Sequence, residues 1–207
     1  MATQEHQLHE LERLLAVSIG PACHELRSPL AVVYGFARML EQDARSTGSH
    51  LERIIEGSSR LDDLLDVLAL MGRIAAGRTR PEVRDYPVDA VLADMAVQPG
   101  HDLPMSIGAT CDQLVHVDRE WLRAAVADAV HGLCYDPSMR VIVTPRAHAG
   151  NVRIELSVDG AMPLPEREAG SCSLRIALAH MRVVAIGGVM HPSDFGLVIE
   201  VPSRSVA

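Results

Sequence analysis

CHELRSPLAV, residues 23–32, gathers an imidazole (His24), a carboxylate (Glu25), a guanidinium (Arg27) and a hydroxyl (Ser28) just ahead of Pro29. The residues around it have helical texture. From Leu8 to about Arg45, apolar side chains recur at Leu8, Leu11, Leu14/Leu15, Leu26, Leu30, Val33, Ala37 and Leu40. In that register His24, Ser28, Ala31 and Gly35 share one face, apart from the apolar stripe. The spacing predicts an exposed imidazole beside very small side chains. Pro29 removes one rung of the helical hydrogen-bond ladder and is expected to bend the helix one turn after the histidine. Pro21 implies a second bend or a helix start. A second His-Glu-Leu triplet at His9–Leu11 lacks the hydroxyl and the proline and is read as coincidence.

An exposed imidazole with a clear approach suits attack on a phosphoryl group carried by a partner. Glu25 is expected to hydrogen-bond one ring nitrogen and leave the other as nucleophile. Beyond this helix, ARSTGSH (44–50) supplies turn residues and a potential N-cap at Ser49. A second helix is expected from about His50 to Ala75, with the stripe Leu51, Ile54/Ile55, Ser58, Leu61, Leu64/Leu65 and Leu68. Its other face is charged: Glu52, Arg53, Glu56, Arg60, Asp62, Asp63 and Asp66. Two amphipathic helices joined by a short loop form an antiparallel hairpin. Alone it leaves apolar surface in water, so it is expected to pair with a second copy as a four-helix bundle.

AAGRTRPEVRDYP (75–87) reads as a linker by its Gly, Pro and charge content, and the texture then changes. VDAVLADMA (88–96), REWLRAAVADAVHGLCY (119–135) and SLRIALAHMRVVAIGG (173–188) read as helices, the last closed by glycines. RVIVTPRA (140–147), NVRIELSVDG (151–160) and GLVIEVPS (196–203) read as strands. The expected organisation is a helical hairpin over residues 1–76, a linker over 77–87 and an α/β sandwich over 88–207.

Of the 207 residues only 3% are aromatic, so the cores are expected to be aliphatic and base-stacking platforms are disfavoured. A formal net charge of −8 disfavours non-specific binding to nucleic acid or anionic membrane. The four cysteines, Cys23, Cys111, Cys134 and Cys172, are widely spaced and suggest neither a zinc site nor a disulfide framework. No signal-peptide pattern and no apolar run near the ~20 residues of a membrane span is present, and a cytoplasmic location is expected.

HELRSPL resembles the H-box of the dimerisation and phosphotransfer domain of sensor histidine kinases, and SRLDDLLDVLAL (59–70) resembles that domain's second helix. The resemblance implies that His24 is the phospho-acceptor, that the proline is part of the box, and that Glu25 and Ser28 assist. It further implies that Arg27, Ala31, Gly35 and Arg38 border the partner-docking surface. The second half is similar in element order to the ATP-binding domain of those kinases, of the GHKL (Bergerat) type. VDREWLRAAVADAVHGLCYD resembles the helix of the Asn-rich box, RIELSVDGAMP the strand and Asp-Gly-x-Gly turn, and GSCSLRIALAHMRVVAIGG the glycine-rich phosphate loop with its helix.

The functional positions depart from that pattern. Gly132 stands where the metal-coordinating asparagine belongs, with Asp128 in the place of an earlier one, and glycine offers no ligand atom. Asp159 and Gly160 keep the turn, but Met162 replaces its last glycine. Ser171, Ser173 and Arg175 stand where glycines would let backbone N–H groups approach phosphate. Only AMPLPEREA separates Gly160 from Gly170, too short for an ATP lid. The fold expectation is therefore a helical hairpin forming a dimeric four-helix bundle, followed by a degenerate GHKL-type α/β sandwich whose positions Gly132, Asp159, Gly160 and Ser173 are relics, with ATP binding lost and no metal of its own.

The implied function is a histidine phosphotransfer protein of a two-component phosphorelay. It would be a homodimer that takes a phosphoryl group on His24 from one response-regulator receiver domain and passes it to another, the receiver bringing its own Mg²⁺. Two alternatives stay open: a divergent ATP-dependent kinase, and a non-catalytic pseudo-kinase that sequesters a response regulator. An anti-sigma-type GHKL protein is a remoter alternative, against which the H-box argues.

Overall fold

The computed structural model describes residues 2–42, 47–96, 104–134, 139–159 and 173–204. Two long helices, α1 (Ala2–Gln42) and α2 (Thr47–Ala75), form the hairpin. α1 runs unbroken through Pro21 and Pro29, so Pro21 does not start it. The N-terminal extension is held because Leu11 packs with Leu14 and Leu15 in a buried cluster shared with another part of the chain. α2 ends in a Schellman motif: Gly77 takes φ +62°, its N–H donates to the Ile74 carbonyl, and the Arg78 N–H donates to the Arg73 carbonyl.

The remaining elements follow as β1 (Arg84–Pro87), α3 (Val88–Ala96), β2 (Met105–Ile107), β3 (Leu114–Val117), α4 (Arg119–Leu133), β4 (Val141–His148), β5 (Asn151–Val158), α5 (Leu174–Ala185), β6 (Val189–Ser193) and β7 (Gly196–Arg204). The last four residues of the stretch read as linker are thus a strand, paired antiparallel with β3. The sheet order is β1-β3-β7-β5-β4-β2, with β6 also on β7; β2 and β4 are parallel and the other pairs antiparallel. Alternation sets the two faces. Val152, Ile154, Leu156 and Val158 of β5 point into the core with Leu197, Ile199 and Val201 of β7, against Leu122, Ala125, Val126, Ala129 and Leu133 of α4. Asp118 caps α4 by accepting from the Glu120 and Trp121 N–H groups, and its other oxygen accepts from the Glu82 N–H at 2.7 Å, which ties the incoming chain to the sandwich.

α5 joins the two halves. Ala179, Val183 and nearby Ile186 belong to the sandwich core, whereas Leu174, Leu178, Met181 and Val184 pack with Leu11 and Ala22 of α1 and Val67, Met71, Ile74 and Ala75 of α2. Met71, Leu174 and Met181 are completely buried there, and each large apolar side chain so buried stabilises by ~1.5–3 kcal/mol. Gly187, at φ +82°, and Gly188 close α5 with a second Schellman pair of bonds, to the Val184 and Val183 carbonyls.

On the α1 side of α5, half-buried His180 is held below its ordinary pKa of 6.5, first by burial, with Arg13 adding to the effect and Glu10 opposing it. A histidine with a depressed folded-state pKa contributes stability above its unfolded pKa, and that contribution is lost as the pH falls. The melting temperature is therefore expected to drop on acidification below about pH 6.5, and His180→Leu should flatten that part of the profile. An identical profile for the variant would count against the assignment.

Candidate functional site

The face around the histidine is open. His24, Arg27, Ser28, Ala31, Gly35 and Arg38 are all exposed, and a Cβ added at Gly35 would meet nothing within 4 Å. The Arg38 guanidinium lies 5.6 Å from the Tyr34 ring centroid, a cation–π distance. Below the histidine, Ser28, Pro29, Val32 and Phe36 of α1 and Arg53, Glu56, Gly57 and Arg60 of α2 line a cleft of about 290 Å³. Gly57 permits the close approach of the helices there. A Cβ at that position would lie 2.9 Å from Val33 Cγ2 and 3.3 Å from the Pro29 carbonyl oxygen. The residues from α2 were not singled out as site residues by sequence; a glycine inside a helical pattern was the available signal.

Two expectations are corrected. Leu30, assigned to the core stripe, is 56% exposed, while Pro29 is buried. The inward positions are Ala22, Leu26, Pro29, Val33, Phe36 and Leu40, a stripe in which Leu30 lies one residue out of phase. Glu25 does not hold the imidazole. Its Oε1 accepts a 2.6 Å hydrogen bond from the Leu174 N–H at the start of α5. Neighbouring residues on a helix point about a quarter-turn apart, so a carboxylate turned inward leaves the outward imidazole.

The second set of candidates lies where α4 meets α5. Asp128 and Gly132, one turn apart, both face α5. Asp128 is buried, with Oδ1 accepting from Arg175 Nη1 at 3.0 Å and Oδ2 lying 3.2 Å from Arg182 Nε, an ion-pair contact without hydrogen-bond alignment. Burial pushes the Asp128 carboxyl above its usual range despite both arginines, and burial likewise lowers Arg182 although Asp128 opposes that. Arg182 was not singled out by sequence, though it shares a face with Arg175. At Gly132 the space of a side chain is taken: a Cβ would lie 2.4 Å from Ile176 Cγ1 and 3.3 Å from the Ile176 nitrogen. Ser173 is the N-cap of α5, accepting from the Arg175 N–H at 3.3 Å. Asp159 is exposed in a turn, its N–H bonded to the Arg140 carbonyl at 2.8 Å. Gly160, Met162, Ser171 and the AMPLPEREA segment lie outside the described residues. Among the described residues, no three His, Cys, Asp or Glu side chains cluster as metal ligands would, and no helix is long and apolar enough to cross a membrane.

Residues 21–77 match the model of the His Kinase A (phospho-acceptor) domain. Among curated proteins, the chain is 24% identical over 171 residues to the sensor protein DivL of Caulobacter vibrioides, which covers 77% of this chain and 22% of that protein. It is also 24% identical over 133 residues to the phosphate regulon sensor protein PhoR of Pseudomonas aeruginosa, covering 60% of this chain and 30% of that one. The chain thus spans between about a fifth and a third of the length of these relatives. In fold it is similar to the Acinetobacter baumannii histidine kinase AdeS, with a TM-score of 0.65 and 15% identity over 88% of this chain and 98% of that one. Histidine kinase ThkA, solved in complex with the response regulator protein TrrA, matches with a TM-score of 0.65 and 14% identity over 98% of this chain and 66% of that one. The hairpin thus matches the phospho-acceptor domain of histidine kinases, and the chain as a whole shares the fold of these solved histidine kinases.

Removing Asp128 leaves two arginines facing each other without a carboxylate. Asp128→Ala is expected to lose ~3 kcal/mol in urea unfolding, the lower end for a broken buried pair, because Arg175, 40% exposed, regains water. Gly132→Asn forces Ile176 aside and is expected to cost ~1–3 kcal/mol. An unchanged unfolding midpoint for this variant would show that the helices part freely.

Proposed function

We propose that the protein is a histidine phosphotransfer protein of a two-component pathway, carrying a phosphoryl group on His24 between receiver domains without using ATP. The observation that carries this reading is the packing between α4 and α5. Ile176 fills the space where the family's metal-coordinating side chain would project from position 132, and Asp128 is tied to Arg175 and Arg182. A nucleotide with its magnesium would need that space and those groups. The exposed His24, its small neighbours and the adjacent cleft support a phospho-acceptor open to a partner domain. The response regulator in the ThkA complex supports the class of partner.

The transfer asks little of the protein beyond positioning. A ring nitrogen of His24 attacks the phosphorus of a receiver's aspartyl phosphate. The N–P bond forms as the P–O bond to the aspartate breaks, the carboxylate leaves, and the ring N–H proton passes to solvent. The reverse step delivers the phosphoryl group to a second receiver. Mg²⁺ at the acyl phosphate belongs to the receiver. The unit is a homodimer, supported by the apolar side chains that a single hairpin leaves exposed: Ile19, Leu30, Leu51, Ile55 and Leu65.

Incubating the protein with receiver domains phosphorylated by acetyl phosphate, with no nucleotide present, should move label onto His24. His24→Ala should abolish labelling while leaving receiver affinity within about threefold of wild type, a change under ~0.7 kcal/mol. Ala31→Arg and Gly35→Arg should reduce transfer by tenfold or more without changing the melting temperature, because both positions face solvent. Labelling that requires ATP, with a micromolar ATP affinity by calorimetry, would overturn the reading in favour of an active kinase. Leu65→Glu should shift the mass in solution from dimer to monomer.

A further inference from the structure

α5 is tied to α1 at both ends. At its C-terminal end Gln7 Nε2 donates to the Val184 carbonyl at 3.0 Å, and at its N-terminal end Glu25 Oε1 accepts from the Leu174 N–H at 2.6 Å. Between the two bonds lies the apolar contact of Leu174, Leu178 and Met181 with Leu11, Ala22 and Met71. The first turn of a helix leaves N–H groups without partners and a partial positive charge, so it holds an anion well. Ser173 meets the N–H of Arg175; the N–H of Leu174 is met from α1, by a carboxylate 149 positions away in sequence and adjacent to the phospho-acceptor. By the resemblance in the sequence, the chain around Ser173 corresponds to a phosphate-binding loop. In this protein the anion at that helix terminus is the chain's own Glu25.

We infer that Glu25 is a positioning residue, a latch whose carboxylate occupies the anion site at the N-terminus of α5 and fixes the second domain against α1 beside His24. The inference rests on the proposed phosphotransfer function for its consequence, but not for the latch itself. A fixed second domain makes one wall of the space a receiver enters, so Glu25 acts on receiver capture through α5 and leaves the reactivity of the imidazole to the ring itself. The same contact holds the second domain in one place relative to His24, as a static wall requires.

Hydrogen–deuterium exchange on the full chain tests the latch directly. Glu25→Ala should speed exchange of the α5 amides near Leu174 by about tenfold or more, the loss expected for one charge-assisted hydrogen bond. Glu25→Gln keeps an acceptor oxygen without the charge and should restore about half of the protection. Unchanged exchange in Glu25→Ala would overturn the latch, whatever the protein's function. Two further readouts separate it from a role on the imidazole. Phosphoramidate, a small phosphodonor that needs no docking, should label His24 at the same rate in wild type and Glu25→Ala. With a phosphorylated receiver domain, the Ala variant should raise the half-saturating receiver concentration several-fold rather than lower the saturating rate, and Gln should partly rescue it. Slowed phosphoramidate labelling in both variants would assign Glu25 to the chemistry and overturn the inference. If no receiver transfers to wild type, the phosphotransfer reading fails, while the exchange and phosphoramidate results still decide the latch.

Discussion

α5 is required by two cores at once. Its twelve residues carry one apolar face for the sheet and another for the hairpin. A helix covered on one side would show a single stripe and a polar back. Here the polar positions are confined to the seam against α4, where Arg175 and Arg182 meet Asp128, and to the α1 margin, where His180 sits near Glu10 and Arg13. The polar groups on this helix are thus answered from two other elements, the arginines from α4 and His180 from α1. The rotation of α5 about its axis is set by apolar packing on two sides and by charge on a third.

The Asp128 cluster is a poor source of net stability. The upward shift of its carboxyl and the downward shift of Arg182 both have burial as the first cause, so desolvation outweighs attraction for each partner. Apolar residues of similar volume could hold α4 and α5 together equally well. What an apolar contact would not supply is direction: a buried carboxylate between two guanidinium groups seven residues apart admits one register of α5 on α4. That register puts Ile176 over Gly132 and turns the Leu174 N–H toward α1. The closed seam at α4 and the latch at Glu25 therefore share one geometric cause.

Much of this architecture was legible in the sequence, and the exceptions have physical reasons. The hairpin, α3, α4, α5 and the strands β4, β5 and β7 were read from periodicity, because each is long enough for a pattern to repeat. β1, β2, β3 and β6 were missed. They have three to five residues, and β1 and β6 contain Pro87 and Pro192, so little alternation was there to read. Within the site, the exposed position of His24 followed from spacing alone. The role of Glu25 did not, since its partner lies on a helix 149 residues later and no local pattern encodes a tertiary contact. Leu30 falls outside the inward stripe because a repeat stepped from Leu26 to Leu30 and Val33 passes over Pro29, which is apolar and turns inward.

The packing also gives a physical reason for a second domain in a protein proposed to need no nucleotide. Take the sandwich away, and Leu11, Val67, Met71 and Ile74 would face water on a hairpin that already exposes Ile19, Leu30, Ile55 and Leu65 along its length. The second set can be covered by another copy of the chain in a four-helix bundle. The first set has a cover already, α5, and α5 keeps its shape only because the sheet buries its other face. A helix supplied alone would have to hold two apolar stripes open to solvent before docking, and a short isolated helix is marginal even without that burden. The sheet and α4 therefore act on the histidine indirectly. They hold α5, α5 covers the base of the hairpin, and its first turn takes the carboxylate beside His24. In this arrangement the requirement on the second domain is to present a folded helix with one correctly placed N-terminus. That requirement constrains core residues and the α4–α5 seam, where Asp128 and Gly132 are held by the packing of α5 itself.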